Sequence, residues 1–181
     1  LADLLTGNRH FDNWRGRADL YLGSEGPGLG SHIWSTIGAS GPRAPRFGYT
    51  GSPAGDLDSD GFADFMVLAS EHSDTREVIG RVNLYLGAPD GPGAEPDWTH
   101  DGELEWESMG DTLDVLGDVD GDGFSDIAFG VWRGDRVRVA DPRIRVFFGN
   151  HGLGFRPAWR PNFHLRDLSE LPTLREFHEL G

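Results

Sequence analysis

Asp56-Leu57-Asp58-Ser59-Asp60-Gly61-Phe62-Ala63-Asp64 is the stretch that decides the fold. Its frame, Asp-x-Asp-x-Asp-Gly-Phe-x-Asp, returns as Asp118-Val119-Asp120-Gly121-Asp122-Gly123-Phe124-Ser125-Asp126. Carboxylates packed this closely repel one another unless a cation sits between them. Hard oxygen donors at alternating positions, with a glycine where the loop must turn, suit a calcium ion. An EF-hand shares the first six positions, but its twelfth needs a bidentate glutamate, and Val67 and Phe129 stand there. An aspartate at the ninth position followed by an apolar strand fits a hairpin instead.

The surroundings repeat with the loop, so the chain is an array of modules. Arg17-Ala-Asp-Leu-Tyr-Leu-Gly23, Arg81-Val-Asn-Leu-Tyr-Leu-Gly87 and Arg143-Ile-Arg-Val-Phe-Phe-Gly149 align, each an alternating strand that ends at a glycine turn. Further glycines follow at Gly26-Pro-Gly28, Gly91-Pro-Gly93 and Gly152-Leu-Gly154, then a tryptophan at Trp34, Trp98 and Trp159. Phe47-Gly48 corresponds to Met109-Gly110, each nine residues before its first loop aspartate, and the third unit has only Leu171-Pro172 in that neighbourhood. Apolar strands, Phe65-Met-Val-Leu-Ala69 and Ile127-Ala-Phe-Gly-Val131, leave the two loops and are expected to be innermost. The approximate repeats are 1–61, 62–123 and 124–181. Each of these units, roughly 62 residues, supplies about four short strands, one blade of a β-propeller. The fold class is therefore all-β, three consecutive four-stranded blades. Residues 165–180 are expected to carry outer strands of the third blade, because Pro172 breaks the helix that the leucine spacing hints at.

Composition agrees. Of 181 residues, 27 are glycine and 11 proline, which suits short strands joined by turns. The net charge of −14 argues against nucleic acid and anionic membrane surfaces as partners. No apolar run reaches the roughly 20 residues of a membrane span, and with no cysteine no disulfide constrains the fold. All 16 basic residues are arginine, read here as the codon bias of a GC-rich, bacterial genome. Leu1-Ala2-Asp3 aligns with Phe62-Ala63-Asp64, and Leu180-Gly181 with Leu116-Gly117. Both ends are thus expected to fall within cut metal loops. A closed ring takes about 4 to 8 blades, so further blades in a parent chain or a second copy should complete it.

Phe47-Gly48, the Asp56–Asp64 loop and the Gly80–Gly87 strand together resemble the FG-GAP repeat. That repeat builds the propeller of integrin alpha subunits and of many bacterial secreted or surface proteins. The resemblance covers essentially the whole chain. It implies a ring of about seven blades whose hairpin loops bind calcium on one face. The implied side-chain ligands are Asp56, Asp58, Asp60 and Asp64 in one loop and Asp118, Asp120, Asp122 and Asp126 in the other. The backbone carbonyls of Phe62 and Phe124 would complete the two sets, so two structural Ca2+ ions are expected. Met109 in place of phenylalanine, and the absence of the pair from unit three, depart from the pattern.

The other motifs read more plainly. Arg133-Gly134-Asp135 is a tripeptide that integrins recognise, but a chain this rich in its three residue types carries one readily by chance. Gly23–Gly30 leads into a strand and not a helix, which makes it a blade turn and not a phosphate loop. The seven histidines lack zinc spacing. Glu103, Glu105 and Glu107 alternate with Leu104 and Trp106 as the wet face of a strand, and no carboxylate pair stands out for glycoside hydrolysis. The three tryptophans are expected to pack between blades, with a sugar platform as the other use. No catalytic constellation is found. The leading expectation is a non-enzymatic, calcium-dependent, extracellular or cell-surface scaffold that binds a protein or glycan. The alternatives are an accessory propeller of a secreted polysaccharide lyase or lipase, and a lectin.

Overall fold

The computed structural model describes residues 3–40, 45–58, 60–71, 80–102, 107–133, 141–149 and 156–157. Expectations placed on Glu103, Glu105, Gly134, Asp135, Trp159 and residues 165–180 lie outside these. The described chain forms strands β1 (Leu4–Asn8), β2 (Arg17–Tyr21), β3 (His32–Ile37), β4 (Phe47–Gly55), β5 (Asp64–Ala69), β6 (Arg81–Tyr85), β7 (Trp98–Asp101), β8 (Glu107–Gly117), β9 (Asp126–Arg133), β10 (Asp141–Phe148) and β11 (Arg156–Pro157). They make three sheets, ordered β1-β2-β3, β4-β5-β6-β7 and β11-β10-β9-β8, with every pairing antiparallel. Each sheet is a meander of sequential neighbours, as a propeller blade requires.

Equivalent hydrogen bonds within each sheet fix how the modules correspond. Gly87 N–H donates to Asp64 Oδ1 at 2.8 Å, and Gly149 N–H donates to Asp126 Oδ1 at 2.9 Å. In the first sheet Gly23 N–H donates to Asp3 Oδ1 at 2.9 Å, so β1 is the counterpart of β5 and β9. That sheet has three strands and not the expected four, because no described strand holds the place that β4 and β8 hold in the others.

The order also corrects one expectation. The apolar strands after the loops, β5 and β9, are not the innermost. That edge belongs to β4 and β8, which precede the loops and lie beside each other, with β1 on the other side of β4. The reason lies in packing. The second sheet is sandwiched, so β5 is buried on both faces and reads as a continuous apolar run. The edge strands instead approach through glycine. A Cβ on Gly7 would lie 2.2 Å from Gly48 O, so a side chain there would push β1 and β4 apart.

The period of two along β5 divides the core into two seams. Phe65, Val67 and Ala69 join Tyr85, Phe47, Trp34 and Ala18 between the first and second sheets. Met66 and Leu68 join Val82, Leu84, Met109, Ile127, Phe129, Val131 and Phe147 between the second and third. Burying each large apolar side chain stabilises by about 1.5–3 kcal/mol. Trp34 meets Phe65 and Tyr85 edge-on at 5.0 and 4.8 Å, and Trp98 meets Phe147 edge-on at 5.6 Å. Both tryptophans therefore do the inter-blade packing expected of them. The glycine-rich run after β2 is a hairpin turn, closed by Gly30 N–H on Leu22 O at 2.8 Å.

Candidate metal centres

Each acidic loop joins an edge strand to the apolar strand beside it, β4 to β5 and β8 to β9. A glycine opens each, Gly55 at φ 73° and Gly117 at φ 74°, and another turns it, Gly61 at 92° and Gly123 at 93°. These values lie in the left-handed region that glycine enters without a Cβ clash. The first aspartate organises the turn. Asp56 accepts from the N–H groups of Asp60 and Gly61 at 3.0 and 2.9 Å, and Asp118 from those of Asp122 and Gly123 at 3.0 and 2.9 Å. The fifth-position carboxylate caps the N–H two residues on: Phe62 N–H donates to Asp60 at 2.8 Å and Phe124 N–H to Asp122 at 3.0 Å.

In the first loop Asp56, Asp58 and Asp60 bring one carboxylate oxygen each within 4.8 Å of the others. In the second, Asp118, Asp120 and Asp126 do so. Oxygens that share one calcium at about 2.3–2.6 Å lie no more than about 5 Å apart, so the donor sets have the right chemistry and span for a hard cation. Asp64 stands outside the first group and Asp122 outside the second. Asp64 is 1% exposed, with both oxygens accepting backbone N–H groups, from Leu57 at 2.6 Å and Gly87 at 2.8 Å. Asp126, 0% exposed, does the same with Val119 at 2.7 Å and Gly149 at 2.9 Å. Among the described residues no arginine or histidine pairs with a loop carboxylate.

The electrostatics reflect this crowding. Burial pushes the Asp64 carboxyl up to about 6, against the lowering effect of its two N–H donors, and Asp58 and Asp56 push it further up. Asp58 is raised by partial loss of water and then by its neighbours Asp60 and Asp56; Asp120 is raised likewise, with Asp122, Asp126 and Asp118 as its neighbours. Each shift says that the unbalanced negative charge of the loop is unfavourable.

The glycines that lock the ninth-position aspartates, Gly87 and Gly149, were read in the sequence only as strand ends. A Cβ on Gly87 would lie 2.5 Å from Ala63 O, and one on Gly149 2.4 Å from Ser125 O, so both seat the loop's exit. The sequence signal for this role was the equal spacing of 23 residues in the pairs Asp64–Gly87 and Asp126–Gly149.

Known proteins resemble the chain in sequence. The chain is 31% identical over 144 residues to integrin alpha-4 of Xenopus laevis, across 75% of its own length. This is an FG-GAP propeller segment of the integrin alpha type. It is also 36% identical over 130 residues, 68% of its length, to integrin alpha-5 of Xenopus laevis. With integrin alpha-IIb of Homo sapiens it shares 31% over 135 residues, 72% of its length. The segment spans only 13%, 12% and 13% of those three relatives. No family model matches the chain.

Proposed function

We propose that this FG-GAP segment is a calcium-stiffened, non-enzymatic part of an extracellular adhesion propeller that binds a protein or glycan. The observation that carries the reading is the pair of acidic loops, alike in turn geometry and, among the described residues, in having no cationic side chain paired with them. Calcium would be held by Asp56, Asp58, Asp60 and Asp64 with the Phe62 carbonyl, and by Asp118, Asp120, Asp122 and Asp126 with the Phe124 carbonyl. The ion supplies charge neutralisation; the chain supplies the turn that preorganises the donors. Extracellular modules bind calcium with Kd of about 10⁻⁴–10⁻³ M, a range filled outside cells and empty in cytosol. Relatives named as integrin alpha subunits support the adhesion reading.

Further blades, from the parent chain or a second copy, would cover the free face of the first sheet. Leu4 and Tyr21 on that face pair with each other as Phe65 pairs with Tyr85 in the second sheet, where both are buried. Leu4 is 40% exposed.

Thermal unfolding with and without calcium tests the metal reading. At roughly 10 to 100 times Kd each site should add about 1.4–2.7 kcal/mol. Asp58→Ala with Asp120→Ala should remove most of that gain. An identical melting temperature in 10 mM calcium and in chelator, for the parent chain, would sink the proposal.

A further inference from the structure

The seam between the first and second sheets contains a pocket of about 190 Å³, and two buried polar residues, Asn83 and Tyr85, line it. Tyr85 is 1% exposed, and its ring is held by Phe65, Trp34 and Phe47, yet among the described residues its hydroxyl has no hydrogen-bond partner. Asn83, two residues away on the same face of β6, is 5% exposed. Its Nδ2 donates to Val67 O at 3.1 Å, while among the described residues its Oδ1 accepts no hydrogen bond. Buried polar groups are nearly always paired, so a donor and an acceptor left open in one cavity point to a visiting molecule.

The corresponding place in the neighbouring seam is lined by different residues. Thr36 pairs with Ala18 on β2 as His100 pairs with Val82 on β6, and Phe147 takes the place of Tyr85 in the third sheet. There the His100 ring lies 4.7 Å from Phe147, and Arg145, in the place of Asn83, reaches His100 Nε2 at 3.1 Å. Among the described residues, His100 and Arg145 put larger side chains there than Thr36 and Asn83 put here.

We infer that the pocket is a binding site for a small, uncharged, polyhydroxylated molecule of about one sugar ring. Its hydroxyls would accept from Tyr85, donate to Asn83 Oδ1, and meet Thr36 at one wall and Glu95 at the mouth. Arg81, which also lines it, donates to Asp101 at 2.8 Å, so the guanidinium is already balanced and the exposed Glu95 disfavours anions. No residue of the acidic loops lines the pocket, and the test is read without calcium.

The test is a titration of the 15N-labelled 181-residue chain with glucose, myo-inositol and glucuronate, read from amide NMR shifts. Glucose or inositol should give saturable shifts at Thr36, Asn83 and Tyr85, and glucuronate should bind more weakly. Tyr85→Phe, which keeps the shape, should weaken binding about tenfold, the worth of one hydrogen bond in a dry site. Thr36→His should abolish it by filling the cavity as His100 does. No saturable shift with either neutral probe would overturn the proposal, as would undiminished binding by both variants. If Thr36→His unfolds the chain, the Tyr85→Phe titration decides alone, and unchanged affinity there sinks the site.

Discussion

The two seams are built on one plan and closed differently. In both, a residue from the incoming edge strand plugs against the glycine that opens the previous sheet's second or third strand: Phe47 on Gly16, Met109 on Gly80. In both, a tryptophan from the outer strand crosses to the next sheet. The first seam then uses a stacked Phe65–Tyr85 pair at 5.4 Å and leaves a polar pocket beside it. The second stacks Phe129 on Phe147 at 5.2 Å and lays His100 over them. What recurs is backbone proximity, and what varies is how side chains fill the outer part of the wedge. Blade packing thus tolerates change at the rim more readily than at the edge strands.

The sharpest way to break this comparison is at the two plug glycines. A Cβ on Gly16 would lie 2.0 Å from Phe47 O, and one on Gly80 2.7 Å from Met109 N; both glycines have positive φ, 83° and 63°. Backbone atoms cannot swing aside. Gly16→Ala should therefore destabilise by about 4 kcal/mol or more, with Gly80→Ala somewhat milder because part of its obstacle is the flexible Met109 side chain. Urea unfolding of each variant measures this, and small effects at both would show that the plugs do not constrain the seams. Truncating the plugs comes next. Phe47→Ala should cost about 3–5 kcal/mol and Met109→Ala about 2–5 kcal/mol, both by leaving a cavity.

A smaller effect is expected at the knots below the seams. Asp64→Asn and Asp126→Asn each replace an acceptor-only group, already holding two N–H donors, with an amide that turns an N–H2 toward one of them. The expected loss is about 2 kcal/mol, alike in both variants. Titration adds a sign. The Asp64 carboxyl in the fold is raised to about 6, so it favours the folded state when protonated. That stabilisation is full below the unfolded value near 4 and is lost as pH rises through 6. Calcium acts in the opposite sense, since it needs the ionised group. Calcium-free protein should gain stability from pH 7 to pH 5, and the calcium increment should shrink over that interval. A calcium increment unchanged from pH 7 to pH 5 would separate Asp64 from the metal.

Much of this was legible in the residues. The spacing of the aspartates, the Gly61 and Gly123 turns and the alternation in Arg81–Tyr85 placed loops and strands correctly, because all three are local. The inner position was misread because Phe65–Ala69 is more apolar than β4. Apolarity reports burial on both faces, whereas nearness to the next blade's edge is reported by glycines such as Gly7 and Gly48. The Gly87–Asp64 knot was missed for the same reason: a backbone donor leaves no side-chain signature. The pocket at Tyr85 was out of reach, since it depends on which residue two sheets bring opposite it.

The smallest predicted effect exchanges the rims. His100→Thr should carve into the second seam the space that Thr36 leaves in the first, removing ring contacts at 4.7 Å to Phe147 and 5.9 Å to Trp98. It also takes away one contact of Arg145. His100 is only half-buried, so part of the space can refill with water, and the loss should be about 1–2 kcal/mol, well below the plug truncations. Because Phe147 has no hydroxyl, the new space should stay apolar at its base and bind none of the sugar probes. Phe147→Tyr added to His100→Thr should then confer weak binding on the second seam. Binding by the single variant would mean that space alone, and not the buried hydroxyl, selects the ligand.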